Sequence, residues 1–348
     1  AGACRAEVVD MRQEYNDCHR EVLVSRALEK AVKAALAKKE QVILFLNRRG
    51  FNTWVHCLDC KHVISCGQCD IALTYHRHDE TLRCHYCEHQ QPTPRACPAC
   101  GSPRLRFAGH GTERAESIVQ EVFPDARILR MDSDTMSGRG AHGTALAGFG
   151  AGAYDILLGT QMIAKGLDFP TVTVVGVLSA DNNINMPDFR ASERTFQLVT
   201  QVIGRAGRGT VGGRGFIQAF DPTHHALQCA VRQDYAAFAE RELKDRQDHG
   251  YPPYGRLGRI IARGADRQTV FDRLRETAAA LSAAARPGAV LGPVACPIAK
   301  IQGVWRFHIL IKARTPAELS HWLEAAGTTL QDRGNVRFAV DVDPLSIM

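Results

Sequence analysis

Four pairs of cysteines, each pair separated by two residues, constrain the fold of this chain more than any other feature. The pairs are Cys57 and Cys60, Cys66 and Cys69, Cys84 and Cys87, and Cys97 and Cys100. A two-residue gap lets both sulfurs of a pair face one ion, and two pairs complete the tetrahedral site of four thiolates that Zn²⁺ prefers. Eight thiolates therefore predict two zinc ions, so this segment is predicted to fold around metal.

Disulfides and iron–sulfur clusters are the alternatives to zinc. The amino terminus lacks the basic, apolar and small-residue segments of a secretion signal, which indicates a reducing compartment and argues against disulfides. Iron–sulfur clusters also take four thiolates, but the regular paired spacing is more typical of zinc ribbons. Because thiolates fill all four positions of each site, the zinc is predicted to be structural rather than catalytic.

Four pairs combine into two sites in three ways, and we favour the nested arrangement. In it, the inner two pairs close a hairpin and bring the outer two pairs together. The predicted sites are an outer site of Cys57, Cys60, Cys97 and Cys100 and an inner site of Cys66, Cys69, Cys84 and Cys87. Six histidines lie close by and could in principle replace a thiolate, at positions 56, 62, 76, 78, 85 and 89. Because eight cysteines are available, most of these histidines are predicted to face solvent or bases.

Helical and strand patterns on both sides of the cysteines predict one split α/β domain. Residues 22–40 have apolar side chains at helical spacing, and 41–47 form a short apolar run typical of a strand buried in a parallel sheet. After the cysteines, the pattern predicts helices at 112–123 and 189–203 and strands at 126–131, 154–159, 171–179 and 213–220. Residues 1–50 and 104–228 are therefore predicted to share one sheet, with residues 51–103 inserted after its first strand.

The last third of the chain has a different order of predicted helices and strands. Residues 229–250 are predicted to form a charged linker helix, and the two prolines that follow it mark a domain boundary. Within 251–348 the order of predicted elements is β-α-β-β-α-β, which is that of the α+β ferredoxin-like split fold. The hairpin between its middle strands is predicted to turn at Gln302 and Gly303.

The net charge and the hydropathy of the chain limit its possible binding partners. The net charge of +6 permits attraction to a polyanion without establishing it. No apolar run reaches the length of about 18 residues that a membrane span requires. The chain is therefore predicted to be cytoplasmic and not bound to a membrane.

Two arginines at a predicted helix end are the main indication of chemistry. Residues 201–208 read Gln-Val-Ile-Gly-Arg-Ala-Gly-Arg, so Arg205 and Arg208 project from the same face, and the small residues between them are predicted to let another surface approach. Planar guanidinium groups suit the terminal phosphate of a nucleotide. A solvated basic helix end is the alternative.

An upstream loop supports the nucleotide hypothesis. It follows the predicted strand at 154–159 and contains Thr160, Gly166 and Asp168. The Thr160 hydroxyl and the neighbouring amides suit a nucleic-acid phosphate, and Asp168 suits a ribose hydroxyl.

Together these segments resemble motifs V and VI of superfamily 2 helicases, and the inserted cysteines narrow the resemblance to the PriA family of replication-restart helicases. The resemblance covers nearly the whole chain from about residue 22 onward. It also rests on Leu-Asn-Arg-Arg-Gly-Phe at 46–51, Gly-His-Gly-Thr-Glu at 109–113, Met-Asp-Ser-Asp-Thr at 131–135, Pro-Asp-Phe-Arg-Ala-Ser-Glu-Arg at 187–194 and Val-Asp-Val-Asp-Pro at 340–344.

The resemblance implies a RecA-like second lobe of an ATP-dependent 3′→5′ DNA helicase that recognises stalled replication forks in bacteria and promotes primosome assembly. It implies ATP and Mg²⁺ as cofactors of the full-length protein, and single-stranded-DNA-binding protein and other primosome proteins as partners. The carboxyl-terminal domain is implied to bind branched DNA. The implied residue roles are ATP phosphate contact for Arg205 and Arg208, with Arg208 as the arginine finger, the nucleotide cleft for Gln201, Gly166 and Asp168, and the tracked DNA strand for Thr160.

One departure from the family pattern concerns the ATP site. The chain contains no Gly-x4-Gly-Lys-Ser/Thr loop and no Asp-Glu-x-His box, which the family carries in its first helicase lobe. This chain alone is therefore predicted not to hydrolyse ATP. The start at Ala1 favours the carboxyl-terminal portion of a longer enzyme, and the alternative is a non-catalytic zinc-stabilised module that binds forks and recruits primosome proteins. A zinc-ribbon RNA-processing factor would explain the cysteines but not the two arginines.

Overall fold

The computed structural model describes most of the chain, in ten segments. These are residues 4–18, 22–46, 53–67, 72–76, 80–84, 89–108, 112–131, 141–160, 169–207 and 212–347. The described residues form three separate β-sheets. None of the helices within these segments is both long and apolar enough to cross a membrane.

The strands of the described segments are numbered along the chain. They are β1 (Arg5–Asp10), β2 (Gln41–Phe45), β3 (Thr53–Cys57), β4 (Thr74–His76), β5 (Thr81–Arg83), β6 (Gln90–Pro92), β7 (Leu105–Ala108), β8 (Ile128–Met131), β9 (Ile156–Gly159), β10 (Val172–Val177), β11 (Arg214–Ala219), β12 (Arg256–Gly264), β13 (Val290–Ile301), β14 (Val304–Ala313) and β15 (Arg337–Val342).

The helices are numbered in the same way. They are α1 (Met11–Cys18), α2 (Arg26–Ala37), α3 (Thr112–Val122), α4 (Ala141–Gly150), α5 (Asp181–Ile184), α6 (Ala191–Ile203), α7 (His225–Arg232), α8 (Tyr235–Asp248), α9 (Arg267–Ala284) and α10 (Pro316–Ala325).

A parallel sheet with helices on both faces forms the first unit, which we call the lobe. Its strand order is β1-β11-β10-β2-β9-β8, and all five residues of the central strand β2 are buried, as its apolar run predicts. Helices α2 and α3 pack on one face, and α4, α6 and α7 pack on the other. Helix α2 begins where the Ser25 hydroxyl accepts a hydrogen bond from the Leu28 amide.

The prediction that the cysteines follow the first strand of this sheet is wrong, because β1 precedes β2 along the chain. Strand β1 lies at the edge and pairs in parallel with β11, from Arg5 opposite Arg214 to Asp10 opposite Ala219. Its residues are exposed or half-buried. An edge strand therefore lacks the continuous apolar run that marks a central one.

The predicted linker helix is also corrected, since α7 and α8 take its place. Gln233 has a left-handed backbone with φ of 55°, which ends α7. The Asp234 side chain then accepts a hydrogen bond from the Ala237 amide at 3.0 Å and begins α8. Leu227 and Ala230 of α7 are buried in the core of the lobe, so α7 belongs to the lobe.

The inserted segment forms an antiparallel sheet in the order β6-β5-β4-β3-β7, and we call it the cysteine block. Its last strand, β7, lies beyond the predicted boundary at residue 103, so residues 105–108 belong to this block and not to the lobe. Its small core contains Val55, Leu73 and Leu82, none of which is exposed. A core of this size supplies little stability by itself, which agrees with a segment that folds around metal.

The carboxyl-terminal unit is a four-stranded antiparallel sheet in the order β13-β14-β12-β15. Its elements follow one another as β12-α9-β13-β14-α10-β15, which is the predicted sequence of strands and helices. Both helices pack on one face. Gln302 and Gly303 form the hairpin turn, as predicted, with φ of 49° and 83°.

One apolar cluster joins all three units. It combines Leu73 and Leu82 of the cysteine block with Leu257, Leu310 and Ile347 of the carboxyl-terminal unit, and Phe189 of the lobe packs against it. The ring of Phe189 stacks on that of Tyr251 with centroids 5.1 Å apart. The open face of the carboxyl-terminal sheet, opposite its helices, therefore rests on the other two units.

Candidate zinc sites and nucleotide-binding segments

The four cysteines predicted for the outer site lie together. Their sulfur atoms are all within 4.8 Å of one another, with 3.6 Å between Cys57 and Cys100 and 3.5 Å between Cys60 and Cys97. A tetrahedral zinc with Zn–S bonds of about 2.3 Å requires sulfurs about 3.8 Å apart, whereas a disulfide requires about 2.05 Å. The donor set and its spacing therefore fit a zinc ion.

Each pair of the outer site is closed by the same backbone turn. The Lys61 amide donates to the Cys57 carbonyl at 3.1 Å, and the Gly101 amide donates to the Cys97 carbonyl at 2.8 Å. Lys61 and Gly101 both have left-handed backbones, with φ of 67° and 74°. Since the turn brings the second cysteine of each pair back over the first, two distant pairs present four sulfurs to one point.

The two thiols of the first pair, Cys57 and Cys60, differ in acidity. Burial raises the pKa of this thiol, but hydrogen bonds from the amides of Cys60 and Asp59 outweigh burial and lower the pKa to about 7. The amide of His62 lowers the pKa of Cys60, yet burial and the neighbouring sulfurs raise it to about 12. Metal binding requires thiolates, so a cation must displace the proton that the Cys60 thiol holds.

Polar contacts attach the outer site to the lobe. Asp59 accepts hydrogen bonds from Ser102 and from Arg104, the latter at 2.7 Å. Arg104 also donates to Asn16 of α1. On the other side, Lys61 lies 3.3 Å from the Asp221 carboxylate.

His56 is an exception to the prediction that most of the neighbouring histidines face solvent or bases. Its side chain is 2% exposed, and its ring lies between Trp54 and Phe220, with centroids at 4.6 and 5.0 Å. Burial, followed by the charges of Arg106 and Arg12, lowers its pKa to about 3. His56 is therefore a neutral packing residue between the cysteine block and the lobe, whereas His62 and His89 are exposed.

Two of the four cysteines predicted for the inner site are described. Cys66 and Cys84 are buried in the cluster that joins the units, and Cys69 and Cys87 lie outside the described residues. The Cys84 amide donates to the carbonyl five residues later, at 2.8 Å, as do the Cys57 and Cys97 amides at 2.9 and 2.7 Å. The third pair thus begins with the same backbone pattern as the two outer pairs.

The structure places Thr160 and Arg205 at opposite edges of the parallel sheet. Thr160 follows β9 at the carboxyl edge and is buried. The turn that contains Arg205 lies at the amino edge, where the Gly207 amide donates to the Val172 carbonyl at 3.2 Å. Between these edges, β2 spans five residues, or about 13 Å at about 3.3 Å per residue.

Two of the small residues beside Arg205, Ala206 and Gly207, pack against the chain itself rather than admit another surface. Ala206 is buried. Gly207 has φ of 73°, and a Cβ atom on it would lie 2.3 Å from the Gly213 amide nitrogen. A Cβ atom on Gly213 would in turn meet the Ala206 carbonyl carbon at 2.4 Å, so glycine is required on both sides of this contact.

Of the remaining predicted site residues, the structure describes one. Gln201 is exposed on the last turn of α6. Gly166, Asp168 and Arg208 lie outside the described residues.

The segment 187–194 has a contact that sequence reasoning did not identify. The Asp188 carboxylate is buried and lies 3.1 Å from the Arg194 guanidinium. It also accepts hydrogen bonds from the Ser346 hydroxyl at 3.3 Å and the Ile347 amide at 3.2 Å. Asp188 and Arg194 thus hold the carboxyl-terminal tail, residues 343–347, against the lobe.

Three family models match this chain. The helicase conserved C-terminal domain matches residues 109–210, the Cys-rich region (CRR) domain of PriA DNA helicase matches 66–92, and the primosomal protein N C-terminal domain matches 247–345. The lobe is thus of the helicase C-terminal type, and the cysteine block contains a zinc ribbon.

Curated relatives match nearly all of the chain. The replication restart protein PriA of Bacillus subtilis (strain 168) is 42% identical over 345 residues, which are 98% of this chain and 43% of that protein. The protein of the same name from Synechocystis sp. is 40% identical over 347 residues, 98% of this chain and 41% of that protein. The chain therefore spans about two fifths of the length of these relatives.

Proposed function

Because the chain belongs to the PriA family of replication restart proteins, we propose that it acts as the carboxyl-terminal part of an ATP-dependent 3′→5′ DNA helicase. This helicase recognises stalled replication forks in the bacterial cytoplasm and promotes primosome assembly there. Its partners are forked and single-stranded DNA, single-stranded-DNA-binding protein and other primosome proteins.

The observation that carries this proposal is the position of Thr160 and Arg205 on one parallel sheet. Thr160 follows the carboxyl end of β9, and Arg205 lies by the amino end of β10. In the proposed motor, Thr160 contacts the tracked DNA strand at one edge, and Arg205 contacts ATP at the other. One rigid sheet then transmits force between the nucleotide and the DNA.

The ATP site is proposed to be shared with a first helicase lobe. That lobe binds the nucleotide and Mg²⁺, while this chain supplies Arg205 and Arg208, with Arg208 as the arginine finger. Gln201, Gly166 and Asp168 line the same cleft. Guanidinium groups stabilise the charge that develops on the transferred phosphoryl group, so their contribution is to the rate of hydrolysis.

Two structural zinc ions are proposed, one at each predicted site. The sulfur spacing of Cys57, Cys60, Cys97 and Cys100 supports the outer ion. The repeated backbone pattern at Cys84 and the burial of Cys66 support the inner ion, which Cys69 and Cys87 would complete. Because thiolates occupy every position, zinc supplies folding energy of about 10–16 kcal/mol per site and takes no part in ATP hydrolysis.

The carboxyl-terminal unit is proposed to be a ferredoxin-like domain that binds branched DNA. Its element order and its antiparallel sheet support the fold. The exposed basic residues of its open sheet face support DNA binding, because phosphate neutralisation provides most of the affinity of such interfaces.

The test uses a protein that carries this chain together with a first helicase lobe. We expect DNA-stimulated ATP hydrolysis, and we expect Arg208→Ala to lower kcat by about 10³-fold or more while the affinity for DNA is unchanged. Arg232→Ala, at the exposed end of α7, is the matched control and should retain full activity.

Two outcomes would contradict parts of this proposal. Full activity of the Arg208→Ala variant would remove Arg208 from the finger role. Absence of DNA-stimulated hydrolysis in the two-lobed protein would refute the motor and leave the non-catalytic fork-binding module.

A further inference from the structure

Three arginines stand side by side across the carboxyl-terminal sheet. Arg263 of β12 is directly opposite Arg306 of β14 and also directly opposite Arg337 of β15. Neighbouring strands lie about 4.8 Å apart, so the three Cα atoms span about 10 Å in a line perpendicular to the strands. We call this set the arginine row.

The arginine row lies on the open face of the sheet, away from α9 and α10. Side chains alternate between the two faces of a strand, so Arg263 shares a face with Leu257, which is buried against the cysteine block. Six residues separate the two, or about 20 Å. The row is therefore at the free end of the face whose other end rests on the lobe and the cysteine block.

A cavity of about 550 Å³ opens over the row. The three arginines line it together with Gln302 of the hairpin turn and Ile301, whose side chain is 43% exposed. The cavity thus offers guanidinium donors together with an exposed apolar side chain.

The charges of the row are poorly compensated. Among the residues that the structure describes, no carboxylate lies within ion-pair distance of Arg263 or Arg306. Arg337 has an exposed ion pair with Asp332 at 3.6 Å, and it also donates to the Gly334 carbonyl at 2.8 Å. Like charges directly opposite each other on neighbouring strands destabilise a sheet. An anionic ligand would remove this repulsion. A polyanion, which carries a negative charge on each of its units, could pair with all three arginines.

We propose that the arginine row binds the sugar–phosphate backbone of a DNA strand that crosses the sheet perpendicular to its strands. The guanidinium groups contact successive phosphates, and Ile301 contacts a deoxyribose or base. This inference rests on the proposed DNA-binding function of the unit and names the residues and the path of the strand. Phosphate contacts of this kind fix position without reading sequence.

The test measures how the affinity for DNA depends on salt. Each phosphate contact contributes about 0.7 to the slope of log K against log salt concentration on single strands and about 0.9 on duplexes. We expect Arg263→Gln, Arg306→Gln and Arg337→Gln each to reduce the slope by about these amounts. A reduction of about 0.7 per variant indicates that the row binds single-stranded DNA, and a reduction of about 0.9 indicates that it binds duplex DNA. Relief of charge repulsion should leave the melting temperature unchanged or raised.

Arg275→Gln is the matched control, because Arg275 is exposed on α9, on the opposite side of the sheet. It should leave the slope unchanged. Unchanged slopes in the three row variants, with DNA binding by the unaltered chain intact, would overturn the row but not the DNA-binding function. Failure of the unaltered chain to bind DNA would overturn both. If the variants lose affinity for an oligoglutamate peptide and keep the DNA slope, the row serves a protein partner and the proposal is wrong.

Discussion

The imidazole of His224 makes the stability of α7 depend on pH. Its Nδ1 atom accepts a hydrogen bond from the Ala226 amide at 3.2 Å, which only the neutral ring can do. Burial, followed by the charge of His225, lowers the pKa of His224 from 6.5 to about 4. Between these values the unfolded chain binds a proton that the folded protein does not, so stability falls as the pH falls from 6.5 to 4.

We expect His224→Asn to remove this dependence, because asparagine caps a helix well without titrating. The two proteins should have similar free energies of unfolding at pH 7. Near pH 4 the variant should be more stable by at most about 3 kcal/mol, at about 1.36 kcal/mol per pKa unit. Urea unfolding across this range measures the difference, and loss of metal in acid affects both proteins alike. Parallel pH profiles would contradict the assignment.

The contact between Gly207 and Gly213 predicts a stability effect beside Arg205. Alanine at position 207 would adopt a left-handed backbone, which costs about 1–2 kcal/mol, and its Cβ atom would overlap the Gly213 amide. Gly207→Ala should therefore lower the free energy of unfolding by at least that amount in urea. Gly143→Ala, in the first turn of α4 with open space around it, should instead raise it by up to about 0.5–1 kcal/mol. Equal effects of the two substitutions would be inconsistent with the strained turn.

At the scale of elements, the tail is the contact most open to test. Ile347 is fully buried in the cluster that joins the three units, whereas Leu345 two residues earlier is 75% exposed. We expect Ile347→Ala to lower the free energy of unfolding by about 2–5 kcal/mol, because it leaves a cavity at the junction. Leu345→Ala should have almost no effect, since Arg194 contacts its backbone carbonyl and not its side chain. A small effect of both would mean that the tail is dispensable.

The elements that the sequence predicted are those with strong local patterns. Strands β2, β9 and β10 are buried throughout, so each has an apolar run. Edge strand β1 has none, and its pairing depends on β11, which lies far along the chain. Helix α4 was not predicted, because its sequence is rich in glycine, a weak helix former. It contributes Phe149 to the core of the lobe.

The same distinction holds for the candidate sites. The outer zinc site was predictable because each cysteine pair closes by a turn between near neighbours. The burial of His56 was not, since it depends on Phe220, which a distant part of the chain supplies. Tertiary packing of this kind leaves no local sequence pattern.

For the whole molecule, the two proposed zinc ions are expected to have different effects. Elemental analysis should find two zinc atoms per chain, and Cys60→Ser and Cys84→Ser should each remove one. Because Arg104 next to the outer site contacts α1, only Cys60→Ser should increase hydrogen exchange in α1. Cys84→Ser should instead increase exchange around Leu257 and Leu310, which share its apolar cluster. One zinc per unaltered chain would contradict the nested sites.

The insertion of the cysteine block beside the central strand determines an order of events during synthesis. Val42 of β2 pairs with Ile156 and Val174, and the ribosome makes both partners only after the whole insertion. The cysteine block can thus bind metal before the strands that pair with β2 have been synthesised. If zinc is scarce during translation, the cysteine block and strand β2 are both unfolded at the same time, which favours aggregation of the nascent chain.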